Sequence, residues 1–379
     1  MMAKLVVCII DGMADPPPPA GRVTPLAAAH TPHCDNLARH SVAGLCHVIQ
    51  PGAVPGSEAG LSALLCCEAA ASIARGPVEA LAQGDPVAPH ETVWRLNLVS
   101  LGPRGNYDNP APLLDAATET AARRMLDRAL GTQGYSLLGG KGFRHLCAGT
   151  EPPVLRNGPQ DACGMTPDTG QSDLNSHCPR LARAMTEANA LFRRSRMDLA
   201  VWPWGAGTMP DLPGFAETTG QTGALAGGVP LARGLALALG MTAPSIAGAT
   251  GGIDTDLGAK TRAAIALAAG HDVVYLHVEA PDLHAHALDR VAKRRAIERI
   301  DAEVVGPLHM ALPDATLLIT CDHATDCATG RHMAIPVPFI LHKPDGPQDG
   351  IATFSEAASA RTGIRIDSAA TLVRLALAD

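Results

Sequence analysis

The sequence predicts an α/β protein: a mostly parallel central sheet flanked by helices, interrupted by a second, inserted α/β domain. Three observations lead to this. Short runs that are apolar throughout recur along the chain: LVVCII at 5–10, DVVYLHV at 272–278, ATLLIT at 315–320 and PVPFILH at 336–342. Such runs suit strands buried on both faces of a parallel sheet, because a half-exposed strand alternates instead. Helical patterns lie among them, in CDNLARHSV, GAKTRAAIALAAG and DRVAKRRAIERIDAEVVGPLHMAL. Finally, polar residues stand at strand ends near both termini but not obviously in the middle of the chain. The middle carries one helix candidate, APLLDAATETAARRMLDRAL, several short strand candidates and a loose Pro/Gly/Asp stretch at 150–173. The expected organisation is therefore a discontinuous outer domain, 1–74 and 226–379, with 75–225 inserted.

Composition narrows the function classes. With 379 residues, 46% of them hydrophobic and 18% charged, the chain can bury a large core and support two folded units. Aromatic residues are only 3%, so that core is built from small and branched aliphatics. A formal net charge of -7 without a basic run argues against a nucleic-acid partner. An anionic substrate would need local positive charge from arginines or metal ions. The ten cysteines are scattered, include the adjacent pair Cys66 and Cys67, and never form C-x-x-C. They read as reduced core residues of a cytoplasmic protein rather than a disulfide framework. The opening AKLVVCIIDGMAD is too short an apolar run to span a membrane and meets Asp11 at once, so it reads as a buried strand and not a signal peptide.

Four stretches carry candidate chemistry. Asp11 directly follows the first strand; alone, a strand-end aspartate is more often a turn former. In QPGAVPGSEAGLSALL, Ser57 follows Pro55-Gly56 at the start of a helical pattern, beside backbone N–H groups and the positive end of the helix dipole. Such a hydroxyl can be a nucleophile if a metal stabilises its alkoxide, and the bland alternative is an N-cap serine with Glu58 in the first turn. HVEAPDLHAHALD sets Asp282 and His286 four residues apart just past a strand, a spacing that can bring both to one ion, with His284 pointing elsewhere if the residues alternate. ITCDHATDCATGRH sets Asp322 and His323 at the exit of a buried strand, with His332 nine residues on. Together, three aspartates, three histidines and a serine at one sheet edge are what a two-metal phosphoryl-transfer site requires, with ions roughly 3.5–4 Å apart.

This order (Asp, Pro-Gly-Ser, Asp-x-x-x-His, Asp-His, later His) resembles the alkaline phosphatase superfamily. More closely, the chain resembles the cofactor-independent phosphoglycerate mutases of the archaeal type, through IDGMADPP, TPLAAAHTPHCDNLA, VPGSEAGLSALL, ARGPVEALAQG, WPWGAG, GATGGIDTD, HVEAPD, DHAT and HMAIPVPFIL. The resemblance implies an alkaline-phosphatase-like core with a substrate-binding lid, and an isomerase of glycolysis that interconverts 3- and 2-phosphoglycerate through a phosphoserine. It implies that Ser57 is the nucleophile. Asp11, Ser57, Asp322 and His323 would hold one divalent ion and Asp282, His286 and His332 another, with Mn expected and Zn, Co or Mg open. Arg75, Arg95 and Arg144 of the insert, and Lys260 of the outer domain, would bind the small phosphorylated metabolite. The chain departs from the family pattern mainly on the lid side: CCEAA at 66–70, PQD at 159–161, MDL at 197–199 and DLHAH at 282–286. The alternative function is therefore a phosphatase or phosphotransferase acting on another small phosphorylated or phosphonate metabolite. Homo-oligomerisation is left open.

Overall fold

The computed structural model describes residues 4–19, 21–67, 73–170, 172–346 and 350–378. It divides into two compact units, Met1–Ala71 with Leu212–Asp379, and Ser72–Asp211. The N-terminal segment contributes strands β1 (Leu5–Ile10) and β2 (Val42–Cys46) to the first unit. The second unit holds β3 (Thr92–Ser100), β4 (Ser136–Lys141), β5 (Arg144–Gly149) and β6 (Leu199–Gly207). The returning chain adds β7 (Gly223–Ala226), β8 (Val273–Val278), β9 (Thr316–Thr320), the short pair β10 (Ala324–Asp326) and β11 (Arg331–Met333), then β12 (Val337–His342) and β13 (Arg365–Ile366).

The first unit is built on a seven-stranded sheet of order β13-β2-β12-β9-β1-β8-β7. Pairings among β9, β1, β8 and β7 are parallel, as is β13 with β2, while β12 runs antiparallel to both its neighbours. All six residues of β1 and all six of β8 are buried, which is why their sequences show no alternation. The expected helices form at Pro32–Arg39, Leu257–Ala268 and Arg290–Ile300, the last continuing through a π-helical turn at Asp301–Val305 into Gly306–Ala311. The expected end of the insert at residue 225 is corrected: β7 pairs with β8 in parallel, so its backbone belongs to the outer sheet, and the division falls at Leu212. GALA carries too little apolar bulk to announce a strand.

The second unit is a four-stranded antiparallel sheet of order β4-β5-β3-β6. The helices Ala116–Gly131 and Pro179–Arg194 pack on one face, where Trp94, Leu96 and Leu98 meet Leu126, Leu130, Leu181, Met185 and Phe192. Alternation along β3 then sends Arg95 and Asn97 to the other face, toward the side carrying the helix Arg75–Gln83. On β5, His145 is buried, and burial, aided by the charge of Arg123, lowers its pKa to about 4. Above the ordinary histidine pKa of about 6.5 the ring is neutral in both folded and unfolded chains. Below it the unfolded chain takes up a proton that the native ring refuses, so stability present above pH ~6.5 is lost as pH falls toward ~4. All three tryptophans, Trp94, Trp202 and Trp204, lie in this unit. The denaturant midpoint followed by tryptophan fluorescence is expected to fall across that window, and less steeply in His145→Gln; equal slopes would exclude His145 as the source.

Candidate active site

The carboxyl ends of three adjacent parallel strands bring the acidic residues together, the position at which ligands bind in open α/β sheets. Asp11 follows β1, and its N–H donates to the Val278 carbonyl at the end of β8 at 2.9 Å. Asp322 and His323 follow β9, on the other side of β1. Asp282 sits in the helix Ala280–His286 that follows β8. Gly12 turns the chain between them at φ 61°; a Cβ there would lie 2.7 Å from Thr325 Oγ1 and 2.8 Å from Asp282 Cβ. Only glycine satisfies both the backbone and the space.

Ser57 is the first residue of the helix Ser57–Leu64, and the N-cap is Gly56, which makes no side-chain capping bond. The bland capping role is thus not the one Ser57 plays. Its Oγ lies 3.2 Å from His323 Nε2. Gly60, one turn on, lets this helix approach β9: a Cβ at that position would stand 2.3 Å from the Asp322 carbonyl oxygen. His323 Nε2 is also 3.4 Å from Asp11 Oδ1 and 3.3 Å from Asp322 Oδ2. Ser57, Asp11 and Asp322 thus each place an oxygen within 3.4 Å of His323 Nε2.

The second set converges too. His286 Nε2 is 3.2 Å from Asp282 Oδ2, His332 Nε2 is 3.3 Å from Asp282 Oδ1, and the two imidazole nitrogens are 2.9 Å apart. His332 reaches the site from β11, and its ring lies 4.1 Å, centroid to centroid, from that of His323. His284 faces away and lines a separate cavity of about 210 Å³ with Ile253, Arg295 and Arg299.

Hydrogen bonds behind the rings decide which nitrogens are available. Thr325 donates its hydroxyl hydrogen to Asp282 Oδ1 at 2.7 Å, so at 3.1 Å it accepts from His323 Nδ1–H. The Nε2 lone pair of a neutral His323 then faces Ser57 and two carboxylates. His286 likewise donates Nδ1–H to the Gly330 carbonyl at 2.7 Å, directing its Nε2 at Asp282. Lone pairs held this close to carboxylate oxygens require a cation between them, proton or metal.

The electrostatics agree. Burial, and then repulsion from Asp322 and Asp282, push the Asp11 carboxyl well above the usual carboxylate range. Burial also opposes ionisation of Asp282, but hydrogen bonds from His286 and His332 outweigh it and hold its pKa well below the usual range. Asp11 Oδ1 and Asp322 Oδ2 are buried without hydrogen-bond partners. Two groups, Asp11 with His277 and Asp322, and Asp282 with His323 and His332, each bring ligand-type atoms within 4.8 Å of one another. Orphaned carboxylate oxygens and converging imidazoles are the donor set of a divalent transition-metal site, so these residues fit such ions.

Sequence reading missed two residues here. Thr325 is signalled only by its place in DHAT, and His277 sits inside the apolar run VVYLHV, where it reads as part of the strand.

In the second unit, Arg75 and Arg95 place their guanidinium carbons 5.3 and 4.8 Å from the centre of the Trp204 ring. Arg95 is buried and paired with Glu79 at 2.6 Å. Arg144, the most exposed of the three, stacks on Phe143 and feels both the Glu79 carboxylate and the Arg75 guanidinium. Trp202 is a core residue, edge-on to Tyr107 and with the Arg156 guanidinium carbon 4.0 Å from its ring centre, while Trp204 faces Arg75 and Arg95. Lys260 corrects the sequence reading: it is 0% exposed and donates to Glu279 Oε2 at 2.6 Å and to the His277 carbonyl at 3.2 Å. Its ammonium is committed inside the first unit rather than presented to a substrate. Of the four departures from the family pattern, Cys66 and Cys67 are buried, whereas residues 68–70 lie outside the described residues, as do the side chains of 160 and 161. Met197 packs against the second unit's core.

Among the described residues no helix is long and apolar enough to cross a membrane. The profile of the Metalloenzyme superfamily matches residues 3–375. A probable 2,3-bisphosphoglycerate-independent phosphoglycerate mutase of Geobacter sulfurreducens is 34% identical over 406 residues, covering 99% of each chain. A 2,3-bisphosphoglycerate-independent phosphoglycerate mutase of Methanothrix thermoacetophila is 32% identical, covering 99% of this chain and 100% of its own. A solved Pyrococcus horikoshii protein shares the fold, with TM-score 0.78 and 22% identity over 100% of this chain and 97% of that one. With the profile spanning nearly the whole sequence and full-length relatives above 30% identity, the chain belongs to the metalloenzyme superfamily and, within it, to the family of 2,3-bisphosphoglycerate-independent phosphoglycerate mutases.

Proposed function

We propose that this protein is an isomerase that interconverts 3-phosphoglycerate and 2-phosphoglycerate through a phosphoserine at Ser57. The observation that carries the reading is the approach of the Ser57 hydroxyl to His323 Nε2, at 3.2 Å, beside Asp11 and Asp322 and next to the Asp282, His286 and His332 set. Asp11, Ser57, Asp322 and His323 would hold one divalent ion and Asp282, His286 and His332 the other, with Mn the leading choice over Zn, Co or Mg. Such ions supply charge neutralisation at the phosphoryl oxygens and lower the pKa of the attacking hydroxyl.

Ser57 Oγ attacks phosphorus, the bond from phosphorus to the glycerate 3-oxygen breaks, and that oxygen leaves as a hydroxyl with the proton Ser57 gave up. Glycerate then reorients, its 2-oxygen attacks the phosphoserine, and Ser57 recovers a hydroxyl proton from the accepting alcohol. Thr325 keeps His323 in the tautomer the site needs, and the Gly330 carbonyl does the same for His286. The second unit, in the role of substrate-binding lid, contributes Arg75, Arg95 and Arg144 to hold the carboxylate and phosphate, guanidinium being suited to both. Water must be excluded while phosphoserine waits, since its attack would release phosphate instead. The reading sets the reaction in cytoplasmic glycolysis, in keeping with ten cysteines of which nine are buried.

The test is phosphorus NMR of the Mn-supplemented protein with 3-phosphoglycerate. The expected result is growth of the 2-phosphoglycerate resonance without matching inorganic phosphate. Release of inorganic phosphate alone, or an unchanged spectrum, would overturn the mutase.

A further inference from the structure

Behind Asp11 lies a chain of buried charged groups that the proposed reaction does not use. Lys260 from the helix Leu257–Ala268 donates to Glu279 Oε2 at 2.6 Å; Glu279 Oε1 lies 3.7 Å from His277 Nδ1; and His277 Nε2 lies 3.4 Å from Asp11 Oδ2. Lys260 and His277 are 0% exposed and Glu279 is 2% exposed. Neither ring nitrogen of His277 makes a hydrogen bond, although each faces a carboxylate oxygen.

As scaffolding this is a poor arrangement, because well-packed apolar residues of similar volume commonly stabilise a core as well as buried ion pairs or better. As metal chemistry it has a plain purpose. A ligating histidine generally turns its other ring nitrogen to a carboxylate, which fixes the ring and raises its basicity. Glu279 stands at that second nitrogen, and Lys260 both offsets the charge of Glu279 and pins it. On the other side, His277, Asp11 and Asp322 bring ligand-type atoms within 4.8 Å of one another. The strand register contributes: His277 pairs with Ile9, two residues before Asp11, so the ring comes alongside the end of β1.

Resting on the two-ion reading above, we propose that His277 is an additional ligand of the ion held by Asp11 and Asp322, through Nε2, with Glu279 and Lys260 as its positioning residues. The two carboxylates of Asp11 and Asp322 and the Ser57 hydroxyl would then share that ion with two imidazoles rather than one, a softer donor set that favours Mn, Zn or Co over Mg.

The direct experiment loads the intact protein with cadmium-113 and counts histidine nitrogens coupled to the metal in long-range proton-nitrogen spectra, with His277→Asn assigning the resonance. Coupling at His277 as well as at His286, His323 and His332 is expected; coupling at those three with His277 uncoupled would overturn the proposal. In parallel, Glu279→Gln preserves shape, and is expected to weaken Mn binding at one of two sites by roughly 10–100-fold, leaving the other unchanged. Two unchanged Mn affinities would also overturn it. A parent protein that binds no divalent ion, by contrast, overturns the two-ion reading itself, so the two failures are told apart.

Discussion

Ser57→Ala protein is expected to lose phosphoryl transfer, with kcat falling by roughly 10⁴–10⁶-fold, the scale seen when a covalent nucleophile is removed from an otherwise intact site. The loss should come without loss of fold. Ser57 caps nothing, since Gly56 is the N-cap residue, and its hydroxyl is bonded to His323 rather than to helix backbone. Stability should therefore stay within about 0.5 kcal/mol of the parent. Two measurements check this: the phosphorus NMR conversion of 3-phosphoglycerate, and mass spectrometry of acid-quenched parent protein, in which the peptide containing Ser57 should carry one phosphoryl group. A variant as active as the parent would remove Ser57 from the mechanism.

Lys293→Met should damage the fold itself. Lys293 is 0% exposed, and its ammonium donates to the Asp15 carboxylate, to the Thr325 carbonyl at 2.8 Å and to the Ala14 carbonyl at 3.3 Å. Methionine fills the same space but leaves the buried Asp15 carboxylate without its counter-charge, at a cost of about 3–5 kcal/mol, even though Cys327 N–H still donates to Asp15 Oδ1 and Thr325 N–H to the Ala14 carbonyl, each at 2.9 Å. For a unit of this size that corresponds to a fall in Tm on the order of 10 °C. Activity should fall as well, because the groups tied down lie next to the site: Ala14 is three residues beyond Asp11, and Thr325 bonds both Asp282 and His323. Asp15→Leu added to Lys293→Met should restore part of the lost stability, since removing both members of a buried pair costs less than removing one. Thermal unfolding of the two proteins checks it; a Lys293→Met chain as stable as the parent would mean the pair contributes nothing.

Much of the fold was legible because the central strands are buried on both faces. β1, β8, β9 and β12 announce themselves as uninterrupted apolar runs, whereas β2 (VAGLC), β7 (GALA) and the two-residue β13 carry too little apolar bulk to be seen. Val42 looked like the end of a helix and is the first residue of β2, since the helix Pro32–Arg39 stops short of it. The site was legible for the same reason: Asp11 and the Asp322-His323 pair interrupt apolar runs at strand exits, which is a local signal.

What the sequence by itself determined is thus the set of buried strands, the ligand-type residues at their ends and the family they match, all of which depend on residues close together along the chain. Tertiary structure alone decided the rest. It carried Lys293 to Asp15 across 278 positions and Arg75 and Arg95 onto Trp204. It also turned Lys260 inward to Glu279 and set His277 beside Asp11. Burial and charge pairing act through space, so whether a lysine meets water or a buried carboxylate depends on which helix face packs against the sheet, and local sequence does not encode that.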